Sequence, residues 1–80
     1  MSGRLVLYTR AGCHLCDEML AGAEPVASRH GLEIGIVDID GDLAMASRYN
    51  LAIPVLELDG REICRHFLDR DALERALAAD

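Results

Sequence analysis

Leu5-Val6-Leu7-Tyr8-Thr9-Arg10-Ala11-Gly12-Cys13-His14-Leu15-Cys16 carries, within twelve residues, the signals that decide the fold of this chain. Leu5 to Thr9 is an unbroken apolar, β-branched and aromatic run, which suits a buried central strand. Arg10-Ala11-Gly12 is turn material. From Cys13 or His14 the period becomes helical: Leu15, Met19, Ala23, Val26, Ala27 and His30 share one stripe, and Gly31 ends it as a C-cap. Two cysteines therefore open a helix that directly follows a buried strand. Pro25 lies inside this helix, where it removes a hydrogen bond and crowds the carbonyl four residues back, so a bend is expected near Ala21-Gly22.

Outward from that stretch, Leu32 to Ile39 reads as a second strand, largely apolar and expected to be buried. Asp42 to Tyr49 reads as a short helix with Leu43 and Ala46 inward and Asn50 at its C-cap. Val55 to Leu58 and Arg61 to Arg65 flank Asp59-Gly60, the signal for a two-residue hairpin turn with positive φ. That register sets Leu58 opposite Arg61, Leu56 opposite Ile63 and Val55 opposite Cys64. It also sets Glu57 opposite Glu62, a mild like-charge conflict. Asp69 caps a last helix with Leu68, Ala72, Leu73, Ala76 and Leu77 on one face. The order β-α-β-α-β-β-α predicts an α/β fold: a four-stranded mixed sheet with helices on both faces, in a single domain over residues 1–80.

Composition narrows the function. A chain of 80 residues hides only about 60% of its unfolded surface, enough for one thin core. With 51% hydrophobic residues and no Trp, that core is aliphatic. The basic residues are all Arg, and with 14 acidic residues against 8 basic ones the formal charge is −6. Such a surface repels phosphate backbones and anionic lipid, which argues against nucleic-acid and membrane partners. No apolar run reaches the roughly 18 residues of a membrane span. Met1-Ser2-Gly3-Arg4 leads straight into the first strand without a signal-peptide core, so a cytoplasmic location is expected. Three cysteines in that compartment are not a disulfide framework; two stand as Cys13-His14-Leu15-Cys16 and the third, Cys64, stands alone.

Cysteines at i and i+3 at a helix opening suit dithiol chemistry. Free N–H groups and the positive dipole end of the first turn favour a thiolate. Cys13, at the tip, gains most from this and is the more exposed; Cys16, one turn in, is shielded yet near enough to attack a disulfide formed at Cys13. His14 and Arg10 add positive charge near Cys13, which lowers a thiol pKa, while Asp17 and Glu18 pull the other way. The alternative for the pair is a zinc half-site with His14 or His66, but no second C-x-x-C or H-x-x-x-H completes four ligands, and no metal is expected. Cys64 reads as a buried small hydrophobe, with a redox or regulatory role as its alternative. His30 and His66 read as surface or helix-end residues. Arg10 either attracts a substrate carboxylate or solvates the turn.

Tyr8-Thr9-Arg10-Ala11-Gly12-Cys13-His14-Leu15-Cys16-Asp17, then Asp38-Ile39-Asp40, Tyr49-Asn50-Leu51-Ala52-Ile53-Pro54-Val55-Leu56 and Asp59-Gly60 together resemble the thioredoxin superfamily. Within it, the chain is similar to the short bacterial glutaredoxin-like proteins over nearly its whole length. The resemblance implies a cis Ile53-Pro54 bond, which in the family leaves the Ile53 backbone to pair with an extended substrate and obstructs metal capture by the thiols. Ile53 and Pro54 are the substrate-binding residues so implied, and Arg10 joins them by its charge as a candidate for a substrate carboxylate. Glutaredoxins that use glutathione usually carry C-P-Y-C, T-V-P and a Gly-Gly turn before the last helix. Here Cys-His-Leu-Cys, Ala52-Ile53-Pro54 and Cys64-Arg65-His66-Phe67-Leu68-Asp69 stand in their places. Thioredoxin marks are missing as well: no Trp precedes Cys13, and Leu7 holds the place of a buried acid.

Two functions are compatible with these residues. In the first, the chain is a monomeric thiol–disulfide oxidoreductase with Cys13 as nucleophile, Cys16 as resolving thiol and His14 tuning the pair. Its substrates are protein or small-thiol disulfides, and it needs no cofactor beyond glutathione as a co-substrate. In the second, the same face belongs to a non-enzymatic module that binds a partner or a metal.

Overall fold

Everything else in the molecule is arranged around β1 (Leu5–Thr9). The computed structural model describes residues 3–79. After β1 come α1 (His14–Arg29), β2 (Ile34–Asp38), a 3-10 turn (Ile39–Gly41) and α2 (Leu43–Tyr49). A hairpin of β3 (Val55–Leu58) and β4 (Arg61–Arg65) leads into α3 (Arg70–Ala79). The sheet order is β2-β1-β3-β4; β1 runs parallel to β2 and antiparallel to β3. This is the mixed α/β sheet with helices on both faces that the element order predicts.

Alternation along the two central strands divides the core. Leu5 and Leu7 of β1 and Leu56 and Leu58 of β3 point to one face, where α1 contributes Met19, Ala23, Val26 and Ala27 and α3 contributes Leu73 and Leu77. On the other face Ile39, Tyr49, Ala52 and Val55 form a smaller cluster with Tyr8 and Met45 against it. The Tyr8 and Tyr49 rings stack at 4.2 Å.

Local sequence signals close the elements. The Leu32 N–H bonds the Ala27 carbonyl and the Gly31 N–H the Ser28 carbonyl, a paired cap at the end of α1. Asp42 and Asp69 accept from the N–H groups of Met45 and Ala72 at the starts of α2 and α3. Asp59 and Gly60 have φ of 53° and 83°, as a two-residue hairpin turn of this hand demands. Helix α1 continues through Pro25, which lies on its exposed side with Ala21, so the carbonyl that Pro25 cannot serve faces water.

Four expectations need correction. Strand β2 starts at Ile34 and ends at Asp38, and it is half-exposed rather than buried. It is a sheet edge, and α2, about 10 Å long, covers β1 and β3 but does not extend over it. Leu43 is 91% exposed rather than inward. In a two-turn helix either stripe fits the pattern, and the stack of Tyr49 on Tyr8 turns Met45 and Tyr49 to the core instead. His30 does not belong to the inner stripe of α1: it is the exposed C-cap residue, as its helix-end reading has it, within 3.5 Å of Glu74 on α3. Finally, the hairpin contains a β-bulge: Leu58 faces Arg61 and Glu57 faces Glu62, but Leu56 faces Cys64 and Val55 faces Arg65. One extra residue on β4 shifts the pairing beyond the irregularity, so Ile63 does not face Leu56.

The expected Glu57–Glu62 conflict is relieved by separate partners. Glu62 accepts from Arg65 Nε at 2.8 Å, which holds its carboxyl below the usual carboxylate range. Glu57, only 7% exposed, accepts from the Tyr49 hydroxyl at 2.9 Å. Burial, and then the bond to Glu57, push the Tyr49 hydroxyl far above its ordinary pKa, so it remains a donor throughout the accessible pH range. Tyr49→Phe is expected to lower stability by about 1–3 kcal/mol, because it leaves a buried carboxylate without its donor. Urea unfolding checks this. Adding Glu57→Leu should recover part of the loss, since replacing both partners with apolar groups removes the orphan.

Candidate active site

The C-terminal end of β1 and the N-terminal end of β3 meet at one edge of the molecule, because Tyr8 pairs with Val55. Antiparallel pairing therefore brings Arg10 to Cys16, which follow β1, to the same end as Ile53 and Pro54, which precede β3. A turn joins β1 to α1: the Cys13 N–H bonds the Arg10 carbonyl at 3.2 Å, and Gly12 sits third with φ of 78°. A turn of this type requires positive φ there, which glycine supplies without strain.

Cys13 occupies the N-cap of α1 in an extended conformation, and its Sγ accepts from the Cys16 N–H at 3.1 Å. It is half-buried, whereas Cys16 is 2% exposed and belongs to the core side of the helix. The two are joined as a disulfide. The asymmetry read from the spacing is present: one sulfur reachable at the helix tip, its partner shielded one turn below. In the reduced state the same N–H groups of the first turn point at Cys13 and favour its thiolate.

The neighbours behave differently from expectation. Arg10 donates from Nε and Nη2 to the two oxygens of Asp40, each at 2.9 Å, and from Nη1 to Asn50 at 3.0 Å. Asp40 lies in the 3-10 turn and Asn50 caps α2, so Arg10 clamps the active-site turn to both. The bond to Arg10 holds the Asp40 carboxyl below its ordinary range and raises the guanidinium pKa in return. His14 is likewise engaged: its Nε2 lies 2.8 Å from Glu18 Oε2 on the exposed side of α1.

The Ile53-Pro54 peptide bond is cis, and Pro54 is buried. The Ile53 N–H is bonded to the Tyr49 carbonyl at 3.2 Å, as is that of Ala52 at 2.9 Å. Of the two backbone polar groups of Ile53, the N–H is thus already bonded within the chain. Cys64 is buried beside the α1–α3 core; burial pushes its thiol pKa up, and the Asp69 N–H offsets part of this. Among the described residues, no group of three or more His, Cys, Asp and Glu side chains is arranged to hold a metal ion. Nor is any helix among them long and apolar enough to cross a membrane.

The sequence reading missed the partners of Arg10 and the buried Tyr49–Glu57 pair. Asp40, Tyr49 and Asn50 all lie within the motifs that carry the resemblance, but nothing in their spacing shows which side chains meet.

The comparisons agree with this geometry. No curated protein matches the chain. A Nitrosomonas europaea protein solved by NMR in solution is 35% identical, with a TM-score of 0.83 over 95% of this chain and 92% of that one. An X. campestris protein solved by X-ray crystallography is 38% identical, with a TM-score of 0.72 over 95% and 97% of the two chains. A mutant thioredoxin from Halobacterium salinarum, 24% identical, shares the fold with a TM-score of 0.68, covering 96% of this chain and 73% of its own. The glutaredoxin-like domain family (DUF836) matches residues 4–78. From the first strand to the last helix, this chain belongs to that glutaredoxin-like family of the thioredoxin superfamily.

Proposed function

We propose that the chain is a thiol–disulfide oxidoreductase acting on protein or small-thiol disulfides in a reducing cytoplasm. The observation that carries this reading is the Cys13–Cys16 pair itself: a half-exposed sulfur at the N-cap of a 16-residue helix, with its shielded partner within disulfide reach. The Cys13 thiolate attacks one sulfur of the substrate disulfide, forming a mixed disulfide and expelling the other sulfur as a thiolate. The Cys16 thiolate then attacks Cys13 Sγ, closing the Cys13–Cys16 bond and releasing the second substrate thiolate. Two electrons pass from the dithiol to the substrate, and the thiolates take protons from solvent. Cellular thiols, glutathione among them, return the pair to the dithiol. Pro54 shapes the platform beside the pair, and the Ile53 carbonyl accepts from a substrate N–H.

A redox titration of the purified protein tests this, with acid quench, alkylation after unfolding, and intact mass. The oxidised form carries one label, on Cys64, and the reduced form three. A single two-electron transition between roughly −200 and −270 mV, lost when Cys13 or Cys16 is replaced, is expected of a cytosolic working pair. A pair that stays reduced throughout the series, or a mass that includes bound metal, would move the reading to the non-enzymatic binding module.

A further inference from the structure

His66 has an unusual backbone and makes two long-range bonds, one from its backbone N–H and one from its ring. Its φ is 67°, and the Phe67 N–H bonds the Arg65 carbonyl at 2.7 Å, so His66 is the centre of a three-residue turn. Positive φ at the centre of such a turn is strained for a residue with a Cβ, and persists only where surrounding bonds impose it. The His66 N–H donates to the Pro54 carbonyl at 2.8 Å, and ring Nε2 lies 2.9 Å from the Leu51 carbonyl. A carbonyl only accepts, so the ring is held as the Nε2–H donor, a role that neutral and protonated imidazole both fill. The flanking apolar side chains remain in solvent, Leu51 at 87% and Phe67 at 69% exposure. The N–H bond to the buried Pro54 extends the β3–β4 ladder one rung past Val55 and Arg65, whereas the ring bond reaches the carbonyl of exposed Leu51 and is not a by-product of burying apolar surface. The same residue lines a shallow cleft with Leu15, Glu18 and Met19 of the cysteine-bearing helix.

We propose that His66 is a positioning residue for the redox site: a strap that grips the Leu51–Pro54 loop at both ends and sets where the Ile53 carbonyl stands for a peptide substrate. This rests on the oxidoreductase reading above. The strap acts on substrate docking. It leaves the Cys13–Cys16 chemistry itself alone, because His66 bonds the loop and neither sulfur.

The test compares His66→Asn, His66→Gln and His66→Gly by single turnover of pre-reduced protein against a fluorogenic peptide disulfide. Asn accepts positive φ but is too short to bridge to Leu51; Gln places an N–H donor the same number of bonds from Cα as His Nε2. His66→Asn is expected to raise the half-saturating peptide concentration about fivefold to tenfold, the worth of one lost hydrogen bond. Its saturating rate should remain within about twofold, and its redox midpoint unchanged. His66→Gly relieves the strained φ without the strap and should match His66→Asn, whereas His66→Gln should return toward the wild type. Amide exchange at Ala52 and Ile53 should quicken in the Asn and Gly variants only. Unchanged half-saturation in His66→Asn, or a loss confined to the saturating rate, overturns the proposal; so does a Gln variant that behaves as Asn does. A wild-type protein inert toward peptide disulfides sinks the redox reading instead, and the exchange comparison then decides the strap on its own.

Discussion

Cys13→Ser is expected to leave no measurable disulfide reduction, a loss of more than about a thousandfold, because a hydroxyl at the N-cap is not ionised and is a poor sulfur nucleophile. Cys16→Ser should behave differently. With the resolving thiol gone, attack by Cys13 stops at the mixed disulfide, and intact mass should show the protein plus one half of a peptide disulfide. Cys64 does not substitute for Cys16: it lies in the core on β4, and burial keeps its thiol protonated. The two variants separate the roles cleanly. An adduct on Cys13→Ser and none on Cys16→Ser would reverse the assignment, and no adduct on either would remove the mechanism.

Leu7→Ala is expected to cost about 3 kcal/mol, and a large share of the fold's stability with it. Leu7 is fully buried at the centre of the sheet, paired with Leu56 and covered from the α1–α3 side. Truncation there removes transfer free energy and leaves a cavity that a stiff central strand cannot close. For 80 residues, total stability is about 4–12 kcal/mol at the usual 0.05–0.15 kcal/mol per residue. A melting temperature lower by about 10–25 °C should follow, read by circular dichroism. Leu43→Ala is the matched control, with the same atoms removed from a side chain in solvent, and should change stability by less than about 0.5 kcal/mol. Equal losses in the two variants would contradict the placement of both residues.

That pair of leucines also shows how far the chain could be read directly. Leu7 lies in a five-residue run whose length and composition leave only a buried strand, whereas Leu43 lies in two turns of helix, where a 3.6 period over seven residues does not single out a face. Tyr49 decided it by stacking on Tyr8, 41 residues away in sequence. The hairpin divides in the same way. Asp59-Gly60 set the turn and the first two pairs, but the bulge between Leu56 and Glu57 moved Cys64 opposite Leu56.

The candidate site was legible where its chemistry is local. Cys13 and Cys16, their unequal exposure and the turn before them follow from a strand, a glycine and a helix start within twelve residues. Arg10 was legible as a positive charge, but not by what neutralises it. Arg10 meets Asp40 and Asn50 from 30 and 40 residues away. His66, whose sequence context reads as surface or helix-end, meets Leu51 across 15.

The kinds of element, their order and the dithiol at a helix tip are legible in the chain alone, because each is settled by backbone preference within a window of a few residues. Tertiary structure alone decided which face of α2 is buried, which edge of the sheet stays open, and whose carboxylate holds Arg10. It also decided that a histidine with no local signal grips the proline loop. Those outcomes depend on groups far apart in the chain competing for the same partners. Only the folded sheet, by fixing the distances between them, selects one.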